Sequence, residues 1–442
     1  MSAGATFPVK IDRQVFDSRN FQSSLGGTAT DVIKNLPSAS VNGLGEISIR
    51  GSKGFTVLIN GKPTQGQVSA ILGQLPANSL DKIEVITAPS AKYDPDGKGG
   101  ILNIITKKGA TNGIFSQVNV RGGLPSIEPY GAQQPAQRYG IDATINSRTD
   151  LWNISASASY NRNDKTGRRE GELYIINLLE DRQTFLPSDG ERSFDDVNYN
   201  GRLNFEYTPN KSDRYSLGFF AGKRTKERLA DITYYDNQSV SPIGSEQSSS
   251  SFSYYNHNLR IRRGDFILGS LDYAHTFENK SKLSGSVLYE FTQLGGPTTN
   301  QNISLSTPTQ IYQDEYNTND NPLLGSRINI DYLNIKTNLG NLEFGYQFRN
   351  LNHKGDFIYE RKNPTSQIFE LVSEFSSEVN LQRTIHSTYG MLVGSKSKWN
   401  YNLGIRVEQM KRELRLKDKS GLIDTSYSYN FLKPFPTAII SY

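Results

Sequence analysis

Residues 342–349 read Leu-Glu-Phe-Gly-Tyr-Gln-Phe-Arg, apolar and polar side chains taking turns without a slip. Only extended backbone sends successive side chains to opposite faces, so this stretch is a strand with one apolar and one polar face. The pattern recurs along the chain. In 151–161, Trp152, Ile154, Ala156, Ala158 and Tyr160 share one face, and Asn153, Ser155, Ser157, Ser159 and Asn161 share the other. Residues 398–409 set Trp399, Tyr401, Leu403, Ile405 and Val407 against Asn400, Asn402, Gly404, Arg406 and Glu408. "RLNFEYT" (202–208) and "KLSGSVLYEF" (282–291) repeat the alternation. About twelve such strands are predicted, starting near 114, 139, 151, 196, 213, 251, 281, 325, 341, 377, 398 and 427.

The spacing between these strands alternates in length. Tight polar turns are expected near 147–150, 209–213, 278–280, 336–340 and 395–397, and long loops near 123–138, 168–195, 236–250, 296–323 and 361–375. Short turns at one end and long loops at the other mark a membrane β-barrel rather than a soluble sandwich. Composition agrees. Hydrophobic residues make up only 35% of the 442, yet 24 Tyr, 21 Phe and 39 Gly are too many aromatics for a disordered chain. A barrel with a wet interior is polar overall and needs only about ten alternating residues per crossing. No run of apolar residues is long enough for a membrane helix. The net charge of +5, spread along the chain, gives no footprint for nucleic acid. There is no cysteine, and hence no disulfide framework or thiolate chemistry.

Residues 1–110 have a different grammar and are predicted to be a small α+β domain. "TATDVIKNL" (28–36) predicts a short helix stopped by Pro37, and Val68–Leu75 a second. Ile47–Arg50 and Phe55–Ile59 are expected to pair as strands around Gly51 and Gly54, with Asn60-Gly61 as a hairpin turn. "LDKIEVI" (80–86) and "ILNIIT" (101–106) are further strands. The last is nearly saturated with apolar residues, so it must be buried on both faces inside something.

Together these stretches resemble the plug domain of TonB-dependent outer-membrane receptors. The resemblance rests on "TATDVIKNLPSASVNGLGEISIRG" (28–51), "VLINGKP" (57–63) and "LDKIEVITAPSAKYDPDGKGGILNIITKKG" (80–109), in that order. Residues 111–442 resemble the front part of the associated barrel, in the Bacteroidota-type outer membrane β-barrel family. The resemblance implies an α+β plug followed by an antiparallel transmembrane barrel in the bacterial outer membrane. It also implies TonB-powered import of a scarce large ligand such as a siderophore, cobalamin, glycan or peptide. The alternative is a plugged barrel that does not transport and serves as a surface binding or assembly module. Outer-membrane lipid and TonB are the implied partners. One departure stands out: where many such receptors carry Arg-Gly after the "IEV" strand, this chain has Thr87-Ala88.

Size bears on completeness. Twelve strands tilted about 45° would close at a radius of about 13 Å. A plug of about 100 residues has a solid radius of about 17 Å and does not fit. About twenty-two strands would enclose it. The expectation is therefore an incomplete barrel; the alternative is a closed twelve-strand cylinder with the first domain hanging outside.

The residues implicated in plug seating and gating are Arg50, Gly51, Glu84, Gly99 and Gly100. Arg50 is carried over from the resemblance as a cation that pairs with a wall carboxylate. Glu84, flanked by Ile83 and Val85, is expected to meet Arg50 or a lysine. The glycine pair Gly99-Gly100 lets backbones pack closely before the 101–106 strand. Asp94, Asp96 and Gly97 read as a turn rather than a calcium loop, because the third acidic ligand and the distant Glu are missing. The four histidines are scattered without metal-ligand spacing. No nucleophile elbow, phosphate loop or acid–base pair is present. No metal, cofactor or enzymatic activity is expected, and the sequence singles out no ligand-binding residue.

Overall fold

A computed structural model of the chain describes residues 13–21, 27–42, 47–63, 71–73, 75–95, 99–107, 112–125, 127–128, 130–243 and 250–442. The N-terminal part is built from seven short strands: β1 (Arg13–Asp17), β2 (Ala39–Val41), β3 (Ile47–Ile49), β4 (Thr56–Ile59), β5 (Lys62–Pro63), β6 (Leu80–Ile86) and β7 (Ile101–Thr106). A short helix, α1 (Ala29–Ile33), starts where the Asp31 carboxylate accepts from the Thr28 N–H at 2.8 Å, and residues 71–72 are helical as well. Five strands form one sheet in the order β1-β6-β7-β4-β5, with β7 antiparallel to β6 and parallel to β4.

The apolar strand of residues 101–106 is thus the middle of this sheet. Leu102 and Ile104 join Ile83, Val85, Val57 and Leu72 in the main core, while Ile101 packs with Leu58 and Ile86 on the other face. Its one amide is satisfied: Asn103 donates to Glu84 at 3.0 Å and accepts from the Gly61 N–H at 2.9 Å. Asn60 and Gly61 make the two-residue turn between β4 and β5, with φ of 53° and 80°. The expected pairing of Ile47–Arg50 with Phe55–Ile59 is corrected. β3 pairs with β2, and β4 with β7 and β5, because the tight reversal at Arg50-Gly51 allows only the Ile49–Ser52 bridge between them. Of the helix expected over 68–75, residues 68–70 and 74 lie outside the described residues. The N–H of Leu75 bonds to the carbonyl of Ile71 at 3.2 Å.

From Gly113 on, fourteen strands make one antiparallel sheet among the described residues. They are β8 (Gly113–Gly122), β9 (Arg138–Arg148), β10 (Trp152–Asn163), β11 (Arg168–Asn177), β12 (Arg182–Tyr207), β13 (Asp213–Val240), β14 (Ser250–Thr276), β15 (Lys282–Ser304), β16 (Ile311–Thr337), β17 (Gly340–Lys362), β18 (Phe369–Leu371), β19 (Ser377–Lys396), β20 (Trp399–Asp418) and β21 (Asp424–Ser441). Twelve of them follow one another in sequence order. β11 and β18 are side hairpins on β12 and β17. Among the described residues β8 pairs only with β9 and β21 only with β20, so there the two ends of the path are not joined.

The tight turns fall where expected, at 149–151, 208–212, 277–281, 338–339 and 397–398. Of the long loops, the one at 123–137 stands as expected, and two others are corrected. Residues 168–195 are mostly ladder, with Arg168 opposite Glu191 and Asn177 opposite Arg182. Residues 296–323 continue β15 against β16, with Pro297 opposite Thr318. Backbone hydrogen bonds are indifferent to side-chain polarity, so a ladder runs on beyond the membrane where both faces are wet and the alternation disappears.

The wall is inside out relative to a soluble sheet. On β9, Ile141 and Ile145 are about half exposed while Asp142, Thr144 and Asn146 are at most 8% exposed. The polar face is covered because the first domain sits against it. Residues of β9, β13–β17, β19 and β20 all touch that domain. It lies within the curl of the sheet, not beside a small cylinder.

Gly100 has φ +101°, and a β-carbon there would sit 2.8 Å from the carbonyl oxygen of Ile86. Gly51 has φ +78° with open space around it. Gly51→Ala is expected to cost the backbone term alone, about 1 kcal/mol. Gly100→Ala adds a backbone clash and should cost more, about 2–4 kcal/mol. Pulse proteolysis of the N-terminal domain across a urea gradient should rank them in that order.

Candidate functional site: a buried charge lock between the inner domain and the wall

The loop after β6 carries a dense set of contacts from the inner domain to the wall. Ala91 is 2% exposed and packs on Tyr389 and Met391 of β19. Gly404 of β20 makes room for it, since a β-carbon there would lie 2.8 Å from that of Ala91. Lys92 approaches Asp331 at 3.9 Å, and the Tyr389 hydroxyl donates to the same carboxylate at 2.7 Å.

Asp94 follows. The β16–β17 register sets Arg327 directly opposite Arg349, both pointing inward. Like charges so placed repel. One oxygen of Asp94 lies between them, 3.0 Å from Arg327 Nη1 and 2.9 Å from Arg349 Nη1. Its other oxygen meets Arg406 Nη2 of β20 at 3.2 Å. Glu408 closes the cluster from the wall, 2.9 Å from Arg349 and 2.8 Å from Arg406. Arg406 also donates to Gln347 at 2.7 Å and to Ser387 at 2.8 Å. Every charged side chain here is 8% exposed or less. Among the described residues three guanidiniums face two carboxylates, so Asp94 cuts the excess of positive charge in the cluster from two to one. Burial pushes the Asp94 carboxyl up, but Arg327, Arg349 and Arg406 together outweigh it and hold it below the usual carboxylate range.

Other contacts are simpler. Lys62, in the hairpin after Gly61, pairs with Asp272 of β14 at 2.6 Å. Asn78 donates to Asp142 of β9. Phe220, Phe266, Leu268 and Leu288 of the wall extend the apolar core of the inner domain, with Phe220 and Phe266 packed edge to face at 4.6 Å.

The residues singled out from the sequence fall elsewhere. Arg50 is exposed, with φ 49°, and its backbone N–H bonds to Ser38 O. Among the described residues it makes no ion pair with the wall. The polarity of the lock is the reverse of the expected one: the inner domain supplies the acid and the wall supplies the arginines. Glu84 does meet a lysine, Lys82 at 3.6 Å, together with Arg13 at 3.3 Å, all within the inner sheet. Gly99 packs against Ser52 and bonds through its N–H to Gly54 O at 2.9 Å. Gly51 and Gly100 shape the same corner. Asp96 and Gly97 lie outside the described residues. Asp94 is adjacent to a turn signal and was masked by it. Its partners could have been found by asking which inward positions of adjacent strands oppose like charges.

Asp94→Asn leaves three buried arginines against one carboxylate among the described residues. It should weaken seating of the inner domain by about 3–5 kcal/mol. Limited proteolysis of outer-membrane preparations in rising urea should show that domain released earlier than in the unaltered protein. Because the Asp94 carboxyl is depressed, its contribution is complete above the unfolded value of about 3.9 and is lost as pH falls through the lower folded value. Mild acidification should therefore leave the unaltered protein seated.

Comparison with known proteins gives the arrangement its family. Residues 8–101 match the TonB-dependent Receptor Plug Domain, and residues 275–442 match the Outer membrane protein beta-barrel family. A Ferric enterobactin receptor of Pseudomonas aeruginosa is 23% identical over 227 residues, which is 43% of this chain and 28% of that one. The Vitamin B12 transporter BtuB of Vibrio vulnificus is 39% identical over 90 residues, 18% of this chain and 15% of that one. Among solved structures, the Copper transporter OprC aligns with a TM-score of 0.59 at 13% identity, over 98% of this chain and 61% of that one. The siderophore receptor PiuA from Acinetobacter baumannii aligns with a TM-score of 0.58 at 12% identity, over 98% and 62%. The chain thus spans less than two thirds of the length of these relatives. An inner domain matching the plug, seated against strands of this barrel family with their apolar face outward, makes the chain a TonB-dependent receptor plug and its outer-membrane β-barrel strands, a protein of the bacterial outer membrane.

Proposed function

We propose that this protein imports a scarce large ligand through the barrel, the plug being displaced from the wall with energy supplied through TonB. The observation that carries the reading is the lock at Asp94. A buried ion cluster with a countercharge from each side fixes position well and stabilises little, because desolvation offsets most of the attraction. An apolar seal of similar size would hold more firmly and would not reset as specifically. Such a contact suits a part that must leave and return to one place. Named relatives bind or carry ferric enterobactin, vitamin B12 and copper, so ligands of this general kind are the candidates here. The reading requires no covalent chemistry. The Thr87-Ala88 departure leaves a second reading in view, a plugged barrel that binds at the surface without transport.

The chain contains no cysteine, so a disulfide can test the motion cleanly. Ala91→Cys with Gly404→Cys places the two β-carbons close enough to bond after a small relaxation. In cells, oxidation should stop accumulation of radioiron-loaded siderophore or labelled cobalamin while surface binding persists, and reduction should restore it. Continued accumulation through the oxidised protein would rule out plug displacement along this seam. Binding without accumulation in the unaltered protein would favour the surface module.

A further inference from the structure

The inner faces of β9, β10 and β12 meet the plug differently from the rest of the wall. The register places Thr144 of β9, Ser157 of β10 and Arg202 of β12 in one inward row, each directly opposite the next. All three are at most 9% exposed. Among the described residues the hydroxyls of Thr144 and Ser157 and the Nε and Nη1 of Arg202 have no hydrogen-bond partner, and solvent reaches none of them. Asn146, one row below on β9, has an unpartnered side-chain oxygen as well. So has Asn78 of the plug, whose amide donates to Asp142 one row above. Arg202 keeps one bond, from Nη2 to the Ser155 hydroxyl at 3.1 Å, and among the described residues it has no ion pair.

Arg406 shows what the same side chain needs when it is buried. Its guanidinium bonds to Glu408, Asp94, Gln347 and Ser387. Arg202 is nearly as dry and has neither carboxylate. A guanidinium held out of water without a countercharge destabilises the state that buries it. Each dry hydroxyl or amide without a partner adds to that cost. Water is the partner these groups lack, and it reaches them when the plug moves off this face. One strand further on, the row changes character. Arg202 stands opposite Phe220 of β13, and Phe220 opposite Leu268 of β14, both in the apolar core that wall and plug share. Parting there exposes hydrocarbon to water, which is unfavourable.

We propose that Arg202 is a release residue, and that the plug parts from the wall first along β9, β10 and β12 while the patch at Phe220 and Leu268 stays closed as the pivot. The role in import rests on the import reading; the order of parting does not. The seated plug keeps Arg202, Thr144 and Ser157 from water, and their hydration on parting offsets part of the work of pulling it off. The Asp94 lock and Arg202 thus act with opposite sign on one equilibrium. Loss of the lock acid loosens the plug. Loss of the Arg202 charge tightens it.

Two substitutions relieve this seam by unrelated means. Arg202→Met removes the charge at similar volume, and Ser157→Asp sets a carboxylate directly opposite it. In outer-membrane preparations at a fixed urea concentration, each should slow protease release of the plug about tenfold, whereas Asp94→Asn speeds it. A side chain needed only for folding would give faster release in both variants. The order of parting is read separately in the cysteine-free chain, with Ser157→Cys and Leu268→Cys as reporters in two proteins. As urea rises, N-ethylmaleimide should label the thiol at position 157 before the thiol at position 268. In cells, Arg202→Met should slow accumulation of radioiron-loaded siderophore or labelled cobalamin. Release that is unchanged or faster in both seam variants overturns the proposal, and so does labelling at 268 together with or ahead of 157. Slower release with unaltered accumulation strikes the role in import and leaves the seam. An unaltered protein that parts in this order but accumulates neither label strikes the import reading alone.

Discussion

A sheet whose apolar face is bare and whose polar face is covered is at rest only with hydrocarbon outside and protein or water inside. That single inversion organises the molecule. On β9 the exposed residues are Ile141 and Ile145 and the buried ones are Asp142, Thr144 and Asn146. Lipid accepts the first set without cost and could not solvate the second. The polar face needs partners, and the plug is what provides many of them. Its own core is conventional, built on β6 and β7, but it is exposed to the wall on several sides and meets it mostly through polar groups.

Those contacts are of two kinds, and they have different mechanical consequences. Phe220, Phe266, Leu268 and Leu288 continue the plug core into the wall, an attachment whose strength scales with area and has no preferred geometry. The Asp94 cluster is the opposite. It is directional and nearly dry, and removing one partner leaves buried charges less fully compensated. The apolar patch therefore holds the plug near the wall, while the charge cluster decides the exact position in which it is held.

The same rule reappears higher in the barrel with a different outcome. Antiparallel register forces certain inward residues into direct opposition, and in this wall several opposed residues are both cationic. Arg327 with Arg349 is resolved from within the chain. Lys226, opposite Arg262, has Asp196 opposite it on its other side, and Arg228, opposite Arg260, donates to Asn258 at 2.9 Å. The lower row holds the plug. Lys226, Arg260 and Arg262 of the upper rows line a cavity.

How much of this was legible follows from what each feature depends on. Strand identity depends on a local period of two, so the twelve main strands and their tight turns were readable from runs such as 342–349. Strand length was not, because β12 and β15 run on through segments like Pro187–Asp189 and Pro297–Thr299 where both faces are wet and the period vanishes. Burial of 101–106 on both faces was readable from its apolar saturation, and the Asn60-Gly61 turn from its residue types. The lock was not readable, for a structural reason. Asp94 looks like any turn aspartate, and Arg327, Arg349 and Arg406 look like any polar-face residues. Their significance lies in cross-strand register and in contacts spanning 233 and 312 positions along the chain. Register is fixed by turn geometry and by the shape of the whole sheet, so a charge that is ordinary in sequence becomes a lock only once its opposite number is known.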